Sequence, residues 1–524
     1  MDPRNHQLEA LEALNSCNEG IIHLPTGSGK TFIQALSIEK GIDQSWEWLK
    51  DKEMKEDVPV FAILAPRIIL SNQLFEAVRV ILLDRGMDCQ YLIVHSGRTK
   101  GDGLERDWTA SQPFRNLKST TRKDVVIEEY EKAKAERAPL IIFGTYDSSV
   151  RIIQSKIPVY MLSCDEAQYL VSKEFSWITK EEDNSDHPIR FFNAERKYYY
   201  TATLKETVSD EGIGMNNFNI FGPILYTKTP VEMISAGEII RPRIHLVDIG
   251  DVSERVTDLE KDVNAIIESF REHTIHVSTG AKLLIVTKGS KSLNDIASHP
   301  RMKMFLETRP NLAIFDISSM YQPRIDGKVV KREYFLKRLQ GLTDQEEAII
   351  LHIDILSEGI DVPGITGIMP MNSMGLSKFL QTLGRATRLH GNDRDRLYAE
   401  SMGAKELDRF VKPYAWIIVP TYGIIGEDLR ARIVDTIDSL RGYEFIAAES
   451  VVIRDDKGVA MPQPLAGINQ TNSRALALLD VFIQVQHEIE EKEKADRLRV
   501  EEFREGEEIK KKSVDEVIEA LKLF

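Results

Sequence analysis

The feature that most constrains this chain is a short apolar run that breaks into a glycine loop. Gly20-Ile21-Ile22-His23-Leu24 reads as a buried strand, Pro25-Thr26-Gly27-Ser28-Gly29-Lys30-Thr31 as a tight loop, and FIQALSIEKGI as a helix by its apolar spacing. A glycine loop that opens a helix turns backbone N–H groups toward one point, and the helix dipole favours an anion there. Lys30 adds a cation long enough to reach β and γ phosphates, and Thr31 adds a hydroxyl able to ligate Mg²⁺. The strict phosphate-loop pattern has glycine where this chain has Leu24, so the loop needs support from elsewhere in the sequence.

A strand feeding such a loop belongs in a buried parallel sheet, and the rest of the chain follows that rule. Apolar runs recur at Val58 to Leu64, Leu140 to Phe143, Val159 to Cys164 and Lys197 to Tyr200, separated by polar or helical stretches as in βα units. The alternation resumes at Ile244 to Val247, Lys282 to Val286, Leu312 to Phe315, Ala348 to Ile353 and Trp416 to Val419. With 524 residues and about 150 per domain, the expected layout is an α/β domain over 1–228, a second over 229–425 and a carboxyl-terminal region over 426–524. The polar insert between His95 and Pro139 reads as helical or surface structure. In the last region Ser473 to Gln486 is apolar and helical, and Glu488 to Lys512 is charged. Glu490/Lys494 and Glu493/Arg497 stand four apart with the acid first, which suits a solvated helix. Val485, Ile489, Leu498 and Phe503 keep no heptad, so an exposed helical extension outweighs a coiled coil.

Composition excludes several classes. Hydrophobic residues at 42% and charged residues at 29% place the chain among folded proteins. No apolar stretch is long enough to span a membrane and the amino-terminal residues lack a secretory pattern, so a soluble intracellular protein with no membrane partner is expected. Cys17, Cys89 and Cys164 are too scattered for a disulfide framework or a structural zinc site. The net charge of −14 argues against non-specific coating of nucleic acid but leaves room for a local basic groove.

Two further groups carry chemistry. Asp165-Glu166-Ala167-Gln168 follows the strand PVYMLSC, so its acids emerge at the carboxyl end of a parallel strand, where α/β sheets place their ligands. Asp165 suits Mg²⁺ and Glu166 the orientation and deprotonation of an attacking water. In the second domain, Gln381, Arg385 and Arg388 of QTLGRATR are spaced to share one helix face, which aims two guanidiniums together as candidate fingers for a γ phosphate. The aromatic stretch Arg196 to Tyr200 and the pair Phe191-Phe192 read as strand packing in preference to base stacking. Arg454-Asp455-Asp456-Lys457-Gly458 reads as a charged turn, not a nuclease cluster.

In this order the blocks resemble the superfamily-two helicases and translocases, which have two RecA-like domains. Arg4 and Gln7 of RNHQ are similar to that family's adenine-reading motif, PTGSGKT to motif I, Ala65-Pro66-Arg67 with Gln73 to motif Ia, and Gly144-Thr145-Tyr146 to motif Ib. DEAQ is similar to motif II, Thr201-Ala202-Thr203 to motif III, Ser357-Glu358-Gly359-Ile360-Asp361-Val362-Pro363 to motif V and QTLGRATR to motif VI. The resemblance implies two tandem doubly wound parallel sheets with ATP and Mg²⁺ in the cleft between them. One wall would comprise Thr26, Gly27, Ser28, Gly29, Lys30, Thr31, Asp165 and Glu166; the other Gly359, Asp361, Gln381, Arg385 and Arg388. It implies nucleic-acid contacts at Arg67, Thr145 and Thr287 with Lys288, and coupling of the two sites through Thr201 and Thr203. DEAQ, TAT and QxxGRxxR depart from the DEAD-box RNA unwinders, and FGPILYTKTPVEMISAGEIIRP resembles the linker of DNA-directed restriction, repair and phage helicases. DNA is therefore expected over RNA.

The leading expectation is an ATP-dependent helicase acting on DNA. A duplex translocase of a restriction or defence complex is the near alternative, and a nucleotide-gated scaffold with a protein partner on the carboxyl-terminal helix is the distant one. The complete set of Glu166, Arg385 and Arg388 weighs against the scaffold.

Overall fold

The computed structural model describes residues 3–95, 118–171, 192–206, 214–249, 256–318, 320–353, 362–372, 376–393, 409–421, 440, 451–454, 460–461, 484–488 and 491. The first sheet comprises β1 (Glu19–His23), β2 (Val60–Ala65), β3 (Gln90–Val94), β4 (Lys118–Thr120), β5 (Leu140–Thr145), β6 (Val159–Asp165), β7 (Ala194–Thr201) and β8 (Ile224–Thr227). All its pairings are parallel, in the order β4-β3-β5-β2-β6-β7-β1-β8. Parallel strands need crossovers, and α1 (Asn5–Ser16), α2 (Lys30–Asp51), α3 (Ile68–Asp84), α4 (Lys123–Glu136) and α5 (Ser149–Ser155) cover the sheet.

Because both faces are covered, β2, β5 and β6 are buried throughout. Strand alternation divides the core in two: Ile22, Tyr198 and Tyr200 pack under α1, α2 and α3, while Ile21 and Tyr199 face the opposite cluster with Val126 and Tyr130 of α4. The three tyrosines are at most 1% exposed, so the aromatic stretch is packing, as its pattern suggests. Phe192 is also buried, and Phe191 lies outside the described residues. The apolar-run reading misses β3, β4 and β8. β4 and β8 are short strands at the two margins of the sheet, β8 being half-buried or exposed along its length, and β3 lies next to the margin beside β4.

Two short helices, α6 (Phe218–Phe221) and α7 (Pro230–Ser235), lead to the second sheet. α7 starts with proline and a reciprocal Thr229–Glu232 capping box. The second sheet comprises β9 (Arg241–Asp248), β10 (Lys282–Val286), β11 (Leu312–Ile317), β12 (Arg324–Ile325), β13 (Lys328–Val329), β14 (Glu347–His352), β15 (Gly367–Pro370), β16 (Tyr414–Thr421), β17 (Val451–Arg454) and β18 (Ala460–Met461). Its order is β13-β12-β11-β14-β10-β15-β16-β9-β17-β18. Only the pairings made by β12, β13 and β18 at its ends are antiparallel among the described strands. The helices α8 (Asp258–Ile275), α9 (Ser290–Ala297) and α10 (Pro300–Glu307) contribute Phe270, Leu293 and Phe305 to one face. On the other, α11 (Arg332–Gln340) and α12 (Leu376–Ala386) contribute Phe335, Leu339, Phe379 and Leu383.

Part of the carboxyl-terminal region, set at 426–524 from the sequence, is built into this second sheet and core. β17 pairs in parallel with β9, and Leu440 and Val485 are fully buried in the core formed with α12. An apolar helical stretch around Val485 is thus paid back in burial, while most of Glu488 to Lys512 lies outside the described residues, as does 96–117 of the polar insert. Residues 118–136 of that insert form β4 and α4. No helix among the described residues is long and apolar enough to cross a membrane.

Gly280 shows how tightly the entry to β10 is built. Its N–H donates to the Asp344 carbonyl at 2.7 Å, and a Cβ there would lie 2.2 Å from the Glu346 carbonyl oxygen. Gly280→Ala is expected to destabilise the second domain by about 1–3 kcal/mol through backbone displacement. A thermal unfolding midpoint equal to that of the unsubstituted protein would refute this.

Candidate functional site

The glycine loop lies at the carboxyl end of β1, between β7 and β8 and beside the end of β6. Gly27 and Gly29 have φ of +87° and +85°, a left-handed conformation in which other residues are strained. Gly29 caps α2, whose first turn begins with Lys30. The Lys30 ammonium donates to the carbonyls of Leu24 at 3.0 Å and Pro25 at 3.2 Å, so the cation closes the loop on itself. Burial pushes its pKa down, Glu166 and then Asp165 oppose that shift, and Arg388 adds to it. One ammonium therefore senses both acids of the first domain and an arginine of the second. Ser28 Oγ is completely buried and has no hydrogen-bond partner among the described residues, and Thr31 is half-buried in the first turn of α2.

Asp165 ends β6 and Glu166 turns the chain with φ of +51°. That conformation costs on the order of 1–3 kcal/mol for a residue with a side chain, and neighbours hold it. The Tyr146 hydroxyl donates to the Asp165 carbonyl, and the Tyr169 N–H donates to the Glu166 carbonyl at 3.0 Å. Gln34, one helical turn beyond Lys30, donates to Asp165 Oδ1 at 2.8 Å. Burial, and next the Glu166 charge, push the Asp165 carboxyl up to about 7 despite Lys30. A buried acid held this way is poised for a cation.

Glu166 is joined to the motif at the end of β7 by a relay. Gln168 Nε2 donates to Glu166 Oε2 at 2.7 Å, Thr201 Oγ1 donates to Gln168 Oε1 at 2.6 Å, and the Thr203 N–H donates to Thr201 Oγ1 at 3.0 Å. Thr201 also lies 2.8 Å from the Thr203 carbonyl. Gln168 and Gln34 hold the two acids in place, and the sequence reading assigned neither a role. The signal for Gln34 was its four-residue spacing from Lys30; for Gln168 it was a buried amide two residues from a catalytic-type acid.

The second domain closes directly on the loop. A Cβ at Gly384, in α12, would lie 2.2 Å from Thr26 Cγ2, and one at Gly27 would lie 3.5 Å from Arg388 Cγ. α12 ends at Ala386, so the expected single helix face holding Gln381, Arg385 and Arg388 is not formed. Gln381 is half-buried on the helix and Arg385 is buried; burial first, and then the Arg385 charge, depress the His352 pKa. Arg388 lies in the turn beyond, next to Gly27. The helix stops because Thr387 turns its carbonyl to the linker, accepting from the Ile240 N–H at 2.9 Å.

The amino-terminal motif holds the same linker. Arg4 Nη1 donates to Glu238 Oε2 at 2.9 Å and to the Glu238 carbonyl at 3.3 Å, and His6 Nδ1 lies 3.6 Å from Glu238 Oε1. Gln7 Nε2 and His6 Nε2 lie 3.2 and 2.8 Å from the Ser28 carbonyl. Arg4 and Gln7 thus brace the loop and linker. Gly359 and Asp361 lie outside the described residues. Arg67 precedes α3 at the end of β2, beside Thr145 at the end of β5. Thr145 Oγ1 lies 2.8 Å from Ser148 Oγ, Thr287 Oγ1 donates to the His352 carbonyl at 3.3 Å, and Lys288 pairs with Asp262 at 3.0 Å.

The raised Asp165 pKa fixes the sign of a pH effect. Folding favours the protonated acid, so ionisation removes stability as pH rises from the ordinary carboxylate range through about 7. Asp165→Asn, which keeps an acceptor for Gln34, is expected to raise the unfolding midpoint of the nucleotide-free protein by a few degrees at pH 8 and progressively less toward pH 5. A gain that grows as pH falls would contradict the assignment.

Residues 1–205 match the family model for the Type III restriction enzyme, res subunit. No curated protein matches the sequence. Among solved structures, the fold is similar to the ATP-dependent Type ISP restriction-modification enzyme LlaBIII bound to DNA, at 16% identity and a TM-score of 0.61, covering 93% of this chain and 32% of that one. It is also similar to a nuclease-deletion mutant of the Type ISP enzyme LlaGI in complex with a DNA substrate mimic, at 15% identity and a TM-score of 0.54, covering 92% of this chain and 31% of that one. The chain therefore spans about a third of the length of these enzymes. Its amino-terminal family match and its two tandem α/β sheets bear out the resemblance to superfamily-two helicases and translocases.

Proposed function

We propose that this chain is an ATP-dependent nucleic-acid motor, a helicase or translocase that hydrolyses ATP to ADP and phosphate between its two sheets. The observation that carries the reading is the convergence of Lys30, Asp165, Glu166 and Arg388 around one glycine loop, with Arg388 arriving from the second domain. The residues fit a magnesium nucleotide: loop amides and Lys30 suit the phosphates, Thr31 and Asp165 the metal, and the buried Ser28 hydroxyl has unused hydrogen-bonding capacity. Bound Mg²⁺ would neutralise charge on the phosphate oxygens.

The roles of the chain's own residues follow. Glu166 orients and deprotonates the attacking water, held by Gln168, and Arg388 stabilises charge developing on the γ phosphate. Gln381 and Arg385 support that arm from α12, and Gly359 with Asp361 complete the second-domain wall. Arg4 and Gln7 read the adenine, a role their contacts with Glu238 and the Ser28 carbonyl would link to the loop. The Glu166–Gln168–Thr201–Thr203 relay passes the state of the site toward nucleic-acid contacts at Arg67, Thr145 and Thr287. DNA is favoured over RNA by the res-subunit match and by DNA-bound proteins of like fold. The same match favours, as second reading, duplex translocation within a restriction-type assembly, with the charged segment beyond Glu488 available to a protein partner.

Steady-state ATPase with single-stranded, forked and duplex DNA and with RNA separates these readings. Forked or single-stranded DNA should stimulate a helicase and plain duplex a translocase, whereas stimulation by RNA alone would overturn the DNA assignment. Glu166→Gln should keep ATP binding and lose turnover by about 10²–10⁴-fold. Lys30→Ala should lose ATP binding itself. Arg388→Ala should lower kcat by roughly 10³-fold with KM little changed, and a normal rate in that variant would remove the finger assignment.

A further inference from the structure

Arg388 lies beyond the end of its helix, so its aim depends on what fixes the turn Thr387 to His390. Ile240 donates to the Thr387 carbonyl from the linker side, and His390 Nε2 lies 3.0 Å from Asp344 Oδ1 on the other. The third anchor is Lys412, just ahead of β16. The residue is 2% exposed, and its ammonium donates at 2.9 Å both to the carbonyl of Ala386, the last residue of α12, and to the carbonyl of Ile365. Asp393, completely buried, fixes the Lys412 backbone by accepting from the Val411 and Lys412 N–H groups at 2.6 and 2.9 Å.

Burial of this lysine is expensive. Desolvation pushes its pKa down to about 7, with Asp393 opposing and Arg388 and Lys282 adding to the shift. Methionine would fill similar volume without desolvating an ammonium. What the amine adds is a pair of donors that clasp two carbonyls from separate segments, one at the helix end two residues before Arg388 and one two residues after Pro363 of the motif V block.

We propose that Lys412 is a positioning residue for Arg388: by clasping Ala386 and Ile365 it holds the arginine turn and the end of the motif V segment as one unit. The proposal rests on the reading of Arg388 as the finger. Lys412 acts through the backbone carbonyls of Ala386 and Ile365; it sets where the guanidinium stands when the domains close. A misplacement of about 1 Å can cost as much as 10²-fold in rate.

The test is steady-state ATPase in DNA-saturated full-length protein for Lys412→Met, Lys412→Gln, Lys412→Arg, Arg388→Ala and the Lys412→Met/Arg388→Ala double variant, with circular dichroism as the folding check. Lys412→Met should lower kcat by about tenfold or more while leaving KM for ATP within about twofold, and Lys412→Arg should recover part of the rate. The double variant should be no slower than Arg388→Ala, because a misplaced arginine and a missing one fail at the same step. Unchanged kcat, a raised KM with kcat intact, or losses that multiply in the double variant would overturn the proposal. If Lys412→Met does not fold, Lys412→Gln is read by the same criteria. A slow Arg388→Ala beside a normal Lys412 variant refutes the Lys412 inference alone, whereas a normal Arg388→Ala refutes the finger reading beneath it.

Discussion

The contact on which the rest of this structure depends is the seating of Gly384 on Thr26. It joins the glycine loop of one sheet to the arginine-bearing helix of the other with no room for a Cβ between them. Close backbone approach between domains is possible only where side chains are absent, and Gly27 and Gly384 provide that at adjoining positions. The consequence is electrostatic. Lys30 becomes subject at once to Glu166 and Asp165 from its own domain and to Arg388 from the other. A cation that would otherwise serve only its own loop is thereby placed in a field that changes whenever the domains part.

Several devices keep that field in register. Gln34 and Tyr146 hold Asp165, Gln168 holds Glu166, and the linker is held near its carboxyl end. Glu238 is tied to Arg4 and His6 of the amino-terminal segment, while two residues later Ile240 binds the carbonyl next to Arg388. The linker is therefore part of the wall of the cleft. Reading the amino-terminal motif only as a base-recognition element misses that Arg4 and the arginine turn are connected through three consecutive residues.

Much of this was legible beforehand because it is local. The loop Gly27 to Thr31, the acids after β6 and the order of the buried strands each follow from residue type and spacing within a few positions. What escaped depends on distant partners. Gln34 and Gln168 look ordinary until Asp165 and Thr201 stand beside them. Arg388 fits a helical spacing perfectly well, but the helix stops at Ala386 because Thr387 has a bond to make with the linker and Ala386 with Lys412. Likewise β8 is too short and too exposed to declare itself, and Val485 is buried in the same core as Phe379 and Leu383 of α12. Local pattern specifies elements; the terminations and braces that aim functional groups are tertiary events.

The position of β17 has a bearing on how the molecule comes into being. Arg241–Asp248 is flanked by Tyr414–Thr421 on one side and Val451–Arg454 on the other, so the strand that opens the second sheet waits for two strands made some two hundred residues later. The strands β1 to β8 of the first sheet, by contrast, all precede β9 in the chain. At about 5–20 residues per second, the first sheet has several seconds to close alone. The exposed flank of β9 meanwhile persists as an unpaired edge through synthesis of the whole second domain. Vectorial synthesis therefore presents the glycine loop to a partner domain that is still open, and the Gly384 contact can form only after α12 has been made.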